Sequence, residues 1–290
     1  MNNKNNTSLF DEAAINFGFR ELGNYAHGES MRQLYSQLIK SLRVLYNEPI
    51  DAVFAFEDPN NKKQMWRADA FDYSSMNLSW REAMIALQAV YADRPLLFFS
   101  DIYKTGGNPN NGIIIPLIDA ECSQGKIRRF YTDIIENEIR ENTAQVDLNR
   151  KKRDVAREFY EIIRKRTRYD NNKGNANYTR YVDIASHSIL NYVRNKSAVC
   201  QGYARTYQAF MNYVGIPAVS TSVIANGGLH AINLVYLEDE SKWIMIDVSA
   251  GLFDVKPGTY RQLCDKDKTT EFHKNEPLYK DIWASYANKK

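Results

Sequence analysis

A chain of 290 residues, 44% hydrophobic and 25% charged, has the length and composition of an ordinary globular protein, enough for one large or two modest domains. Its net charge of +3 is too small to argue for nucleic acid or a membrane surface as a partner, and no run approaches the roughly 18 apolar residues of a membrane span. Three cysteines (Cys122, Cys200 and Cys264) are too few, and odd in number, for a disulfide framework, and they show no paired metal-ligand spacing.

The chain opens on a polar stretch, Met1 to Thr7, without the apolar core of a signal peptide. The expectation is a cytoplasmic protein, one exported without a cleaved signal, or one whose leader has been removed. Residues up to about 28 are weakly patterned. Ser30 with Gln33 reads as a capping box, followed by a helical stripe of Met31, Leu34, Tyr35, Leu38, Leu42 and Leu45 that ends near Pro49. Ala52 to Phe56 reads as a short strand and Asp58 to Lys63 as a turn. Ser79 and Glu82 form a second capping box, with Trp80, Met84, Leu87 and Tyr91 as the stripe of a helix that stops before Pro95. Leu96 to Phe99 is an apolar packing segment. Thr105 to Gly112 reads as a loop, and Gly112 to Ile118 as a strand that Pro116 pushes to a sheet edge.

From about Lys126 the pattern is helical and highly charged. Leu148, Val155, Phe159, Ile162 and Ile163 share one face of a helix expected over roughly Asp147 to Tyr169. Its basic runs, Arg150 to Arg153 and Arg164 to Arg166, alternate with Glu158 and Glu161 and read as a solvated face. A polar loop, Asn171 to Asn177, and a helix over about Tyr181 to Arg194 lead to Cys200. Tyr203, Tyr207, Phe210 and Met211 then recur at helical spacing, which puts Cys200 at or near a helix N-terminus, where free N–H groups and the helix dipole favour a thiolate. Gly215-Ile216-Pro217 stops that helix. Three strands follow, Ala218 to Ile224, His230 to Leu237 and Lys242 to Val248, turning at Asn226-Gly227-Gly228 and at Glu238 to Ser241.

The last hairpin carries the chemistry. With its turn centred near Asp239-Glu240, Ile232 faces Asp247, and His230 and Asp247 become diagonal neighbours on one face, about 7–8 Å apart at the backbone. A slip of one residue would separate them. If the Cys200 helix packs on that face, Cys200 is a nucleophile, His230 its base and Asp247 the group that fixes the imidazole tautomer. Taken singly, each residue has a bland explanation: a buried small hydrophobe, a surface or core histidine, a turn aspartate. Three such coincidences in one arrangement are harder to accept. The other candidates are weaker. His27 and His187 lack evident partners, His273 could contact the site but reads first as packed or exposed, and Cys122 and Cys264 read as structural. Zinc on Cys200, His230 and Asp247 lacks an evident fourth ligand, and no cofactor is required.

Val199-Cys200-Gln201-Gly202-Tyr203-Ala204, Gly215-Ile216-Pro217-Ala218, His230-Ala231 with Asn233, and Trp243 with Ile246-Asp247-Val248 resemble the bacterial transglutaminase-like superfamily. The order Cys, His, Asp and the spacings (230 − 200 = 30; 247 − 230 = 17) fit its core. Tyr169-Asp170 resembles the family's Tyr-Asp ahead of that core, and Asp93 to Phe98 and Phe272-His273 resemble outlying segments. Ile232, where many members have Trp, and Phe159-Tyr160-Glu161, in place of a His-Asp-rich segment, depart from the pattern and bear on substrate class.

The resemblance implies an α+β fold with a papain-like transglutaminase core, its Cys-bearing helix packed on an antiparallel sheet. It carries Cys200, His230 and Asp247 over as the catalytic triad. A catalytic domain over 126–290 is expected to follow a smaller mixed α/β region over 1–125. The expected activity is acyl transfer from amide or peptide bonds, as a cysteine peptidase or amidase. Transamidation or deamidation of glutamine is the alternative, and a non-catalytic binding module on the same fold is the rival of another class. The expected partner is a protein or peptide substrate; nothing in the sequence sets an oligomeric state.

Overall fold

A computed structural model describes residues 8–57, 64–171, 185–262 and 279–287. Among them no helix is long and apolar enough to cross a membrane.

The N-terminal elements are helical first. Helices α1 (Leu9–Glu12) and α2 (Phe17–Leu22) occupy the stretch whose sequence carries little pattern. Helix α3 (Gly28–Asn47) buries Met31, Leu34, Tyr35, Leu38, Leu42 and Leu45, the stripe its spacing predicts. It begins earlier than expected, and Ser30 lies inside it, so the Ser30–Gln33 capping box does not form. The tight approach of α2 sets the start: a Cβ on Gly28 would lie 2.5 Å from the Leu22 carbonyl oxygen. Helix α4 (Trp80–Asp93) has its expected capping box, Ser79 and Glu82 each bonded to the other's backbone N–H. Leu96, Leu97, Phe98 and Phe99 are fully buried behind it.

A five-stranded antiparallel sheet packs nearby, built from β1 (Val53–Glu57), β2 (Gln64–Arg67), β3 (Phe71–Asp72), β4 (Ser100–Asn108) and β5 (Ile113–Ile118). Two expectations fail in it. Thr105 to Asn108 is strand, paired with Pro116 to Ile113, and only Pro109–Asn111 turns the chain. β5 is central, bonded to β2, β3 and β4, although it contains Pro116. The carbonyl of Pro116 accepts from Ala68 N–H, between the end of β2 and the start of β3. The missing proline N–H falls on that same side, in the break between two short strands, and so costs no ladder bond.

Helix α5 (Gly125–Thr143) leads to α6 (Lys152–Arg166), which starts five residues later than expected. Asp147 accepts from Asn149 N–H in a turn ahead of it, and Leu148 is exposed rather than part of the buried face of Val155, Phe159 and Ile163. Both arginines of the first basic run are paired: Arg150 with Glu158, and Arg153 with Glu240 at 2.7 Å and Asp254 at 2.5 Å. Helix α7 (Ile189–Asn195) is shorter than the Tyr181–Arg194 expectation, because Ser188 caps it and residues 185–188 turn. Residues 58–63, Asn172 to Asn177, 181–184, Cys264 and His273 lie outside the described residues.

Helix α8 (Cys200–Tyr213) follows, ending at Gly215, whose φ of 76° closes the turn. It packs on a second antiparallel sheet in the order β11-β10-β9-β8-β12, with β8 (Ala218–Ala225), β9 (Gly228–Leu237), β10 (Lys242–Asp247), β11 (Leu252–Val255) and β12 (Arg261–Gln262). The fold is thus α+β, a Cys-bearing helix on an antiparallel sheet behind a smaller mixed region. β11 and β12 have no counterpart in the sequence reading. The β9–β10 register is the one expected: Leu237 faces Lys242 and Asn233 faces Ile246, so the next pair outward is Ile232 with Asp247.

Candidate active site

Three attachments fix α8 over the sheet. Asn233 Nδ2 donates to the Ala204 carbonyl at 2.9 Å, tying the helix to the strand that carries His230. Tyr203 and Tyr207 donate to the carbonyls of Thr167 and Ala156, tying it to α6 and its exit. From the first sheet, the fully buried Asp101 accepts from Arg205 Nη1 at 3.1 Å and from Gln201 Nε2 at 3.2 Å. The start of the helix is set by two short parallel strands, β6 (Arg168–Tyr169) and β7 (Ser197–Ala198), which pair Tyr169 with Ala198. Gly202 lets the first turn press on its neighbours: a Cβ there would lie 2.4 Å from the Ser186 carbonyl oxygen.

Cys200 is the first residue of α8 and is 7% exposed. Burial opposes its ionisation. The hydrogen-bonding nitrogen and charge of His230, with the backbone N–H groups of Ala231 and Gln201, outweigh that penalty and hold the thiol below its ordinary value. Cys122, also buried but without such partners, is pushed up to about 12.

His230 Nε2 lies 2.7 Å from Asp247 Oδ2. A carboxylate only accepts, so Nε2 carries the proton and Nδ1 is left for Cys200. Burial works against the imidazolium, but Asp247 and Cys200 more than compensate and raise His230 to about 10. Asp247 has no exposed side-chain surface; burial alone would raise it, yet the bonds from His230, Tyr260 and Ala250 N–H keep it below its ordinary value.

Two further side chains join the three that the sequence singled out. The hydroxyl of Tyr169 reaches Cys200, toward both its backbone N–H and its thiol; burial and the nearby thiolate raise that phenol to about 12. The Tyr169 ring stacks on Tyr203 with centroids 6.3 Å apart. Tyr260 donates to Asp247 Oδ2 at 2.5 Å. Tyr169 stands out in sequence only as half of a Tyr-Asp pair with no stated role. Tyr260 is one tyrosine among 19 and carries no local signal.

His27, without an evident partner in sequence, is bonded to Glu82 at 2.8 Å, and His187 is buried. Among the described residues no group of three or more His, Cys, Asp or Glu is placed to hold a metal ion.

Residues 140–248 match the transglutaminase-like superfamily, and this segment contains Cys200, His230 and Asp247. The likeness to that superfamily is confined to this segment of the chain. That superfamily is one of thiol-dependent enzymes. Two solved structures are similar at low identity. One, described as a putative cysteine protease from Cytophaga hutchinsonii, is 17% identical over 40% of this chain and 38% of its own, with a TM-score of 0.29. The other, described as a TGase, is 19% identical over 64% of this chain and 58% of its own, with a TM-score of 0.38. The chain therefore spans less than two thirds of either structure. No curated protein matches the sequence. β11 and β12 extend the sheet beyond the matched residues.

Proposed function

We propose that the protein is a thiol-dependent acyl-transfer enzyme acting on amide or peptide bonds, with Cys200, His230 and Asp247 as its catalytic triad. The observation that carries this reading is the line from Asp247 Oδ2 to His230 Nε2 at 2.7 Å, with the other imidazole nitrogen left for a cysteine whose thiol is lowered.

The Cys200 thiolate attacks the substrate carbonyl carbon, forming a C–S bond while the carbonyl π pair moves to oxygen. In this reading that oxyanion takes the Cys200 backbone N–H, and the Tyr169 hydroxyl, which lies against that N–H and the thiol, serves as its second donor. Collapse breaks the C–N bond as His230 gives its proton to the leaving amine, and a thioester remains on Cys200. His230, now neutral, takes a proton from the second nucleophile as it attacks the thioester carbon; the C–S bond then breaks, releasing the acylated product and returning the Cys200 thiolate beside the imidazolium. Asp247 keeps the ring oriented and stabilises the imidazolium throughout.

The same thioester serves a peptidase or amidase and a transamidase; the difference is whether water or an amine attacks. His230 keeps 18% of its side chain exposed, which supports access of water to the base and a hydrolytic enzyme. We assign catalysis to residues 126–290, with residues 1–125 as a support that holds the nucleophile's helix through Asp101. The test is mass spectrometry of peptide and glutamine-containing substrates incubated with and without a primary amine. Backbone cleavage or loss of ammonia without amine incorporation is the expected result. Amine incorporation as the main product would make the enzyme a transamidase.

A further inference from the structure

The Asp247 carboxylate has every acceptor position filled. Ser249 Oγ–H and Ala250 N–H donate to Oδ1, each at 2.9 Å; His230 Nε2–H at 2.7 Å and Tyr260 O–H at 2.5 Å share Oδ2. The first two donors belong to the turn after β10 and would be present with any aspartate in that position. Tyr260 comes from elsewhere, directly before β12 at the opposite edge of the sheet. Its ring lies against the imidazole, with centroids 5.8 Å apart at 45°.

We infer that Tyr260 is a positioning residue that sets the strength of the His230–Asp247 pair, by competing with the imidazole for one carboxylate oxygen and covering the ring. This rests on the acyl-transfer reading of the site. Two donors on one oxygen divide its charge. The Tyr260 hydroxyl therefore weakens the hold of Asp247 on the imidazolium proton, which His230 must surrender to the leaving amine. At the same time it prevents the carboxylate from rotating away from the ring. The placement of β12 has a use in these terms: Arg261 and Gln262 pair with Ile224 and Val223 of β8, and Val223 pairs with His230 itself. The sheet thus fixes Tyr260 relative to the histidine it regulates.

Among the described residues, the titratable groups that face this pair are the Cys200 thiol from α8, the Tyr169 phenol from β6, the Tyr160 phenol from α6, and Tyr260. The donor that shares this oxygen with His230 is the hydroxyl of Tyr260, and Tyr260→Phe deletes it while keeping the ring.

The experiment is a titration of the histidine ring nitrogens by 15N NMR in the wild-type protein and Tyr260→Phe, with His230 identified by its loss in His230→Asn. Removing the hydroxyl is expected to raise the His230 midpoint by about half a pH unit or more, the size of one hydrogen bond, and to lower kcat roughly tenfold at little-changed KM. Thermal midpoints should agree within a few degrees. An unchanged or lowered His230 midpoint overturns the proposal. Turnover that survives Cys200→Ala defeats the acyl-transfer reading instead, and the His230 midpoint still reports on the hydrogen bond.

Discussion

His230 and Asp247 sit diagonally on one face of adjacent antiparallel strands, and their side chains close to 2.7 Å. The pair exists because Asn233 faces Ile246; any odd shift of that register would send the two to opposite faces. His230→Ala removes the proton-transfer group, and amide turnover should fall by roughly 10²–10⁴ while the thermal midpoint moves little. Steady-state kinetics with a fixed peptide substrate measures this. A loss below about tenfold would mean that another group moves the proton.

The pH dependence has a definite shape. The Cys200 thiol lies below its ordinary value, so thiolate is present at pH values where a free cysteine is protonated. His230 holds its proton to about 10. The ion pair therefore persists between these limits: kcat/KM should rise at acid pH as the thiol ionises, and fall only near pH 10 as the imidazolium is lost. Iodoacetamide should alkylate Cys200 at pH 6 much faster than it alkylates a free thiol of ordinary pKa. A rate that begins to rise only near pH 8.5, the ordinary range of cysteine, would contradict the ion pair.

How legible was this in the sequence? The stripe of α3, the capping box at Ser79 and the β9–β10 register were all readable, because periods of 3.6 and 2 and local hydrogen bonding set them. The site was readable to the extent that it follows from those elements: Cys200 at a helix start, His230 and Asp247 at a fixed register. Long-range contacts left no local trace. The start of α3 depends on the approach of Leu22 to Gly28, and the central place of β5 depends on a gap between β2 and β3 opposite Pro116. Tyr260 reaches Asp247 only because β12 pairs at the far edge of the sheet.

Asp101 and Arg205 are almost wholly buried, 3.1 Å apart, with Asp101 also holding Gln201 next to the nucleophile. Asp101→Ala leaves the guanidinium buried without its carboxylate, a cost of about 3–5 kcal/mol. Denaturant unfolding should show that loss directly. A stability within about 0.5 kcal/mol of wild type would show that the first sheet does not anchor the nucleophile's helix.

Gly202 has a sharper requirement. A Cβ would meet the Ser186 carbonyl oxygen at 2.4 Å and the Ala198 Cβ at 2.9 Å, so backbone must shift in the first turn of α8. Gly202→Ala should destabilise by about 1–3 kcal/mol and reduce kcat more than it changes KM, since the displaced residues are neighbours of Cys200. Thermal unfolding and steady-state kinetics on the same preparation test both parts.

Tyr169→Phe tests the oxyanion role proposed for the Tyr169 hydroxyl apart from the rest of the site. Loss of the hydroxyl should lower kcat by about 10²-fold, as removal of one such donor does, and leave iodoacetamide alkylation of Cys200 within a few-fold of wild type. Parallel loss of both would place Tyr169 among the groups that hold the thiolate.

The central claim is that Cys200 becomes acylated. Intact-mass spectrometry after a rapid acid quench, with an activated acyl substrate in excess, tests it most directly. An adduct of one acyl group, mapped to Cys200 by peptide sequencing and absent from Cys200→Ala, is the predicted result. Turnover with no adduct on Cys200, or an adduct of equal size in Cys200→Ala, would contradict it.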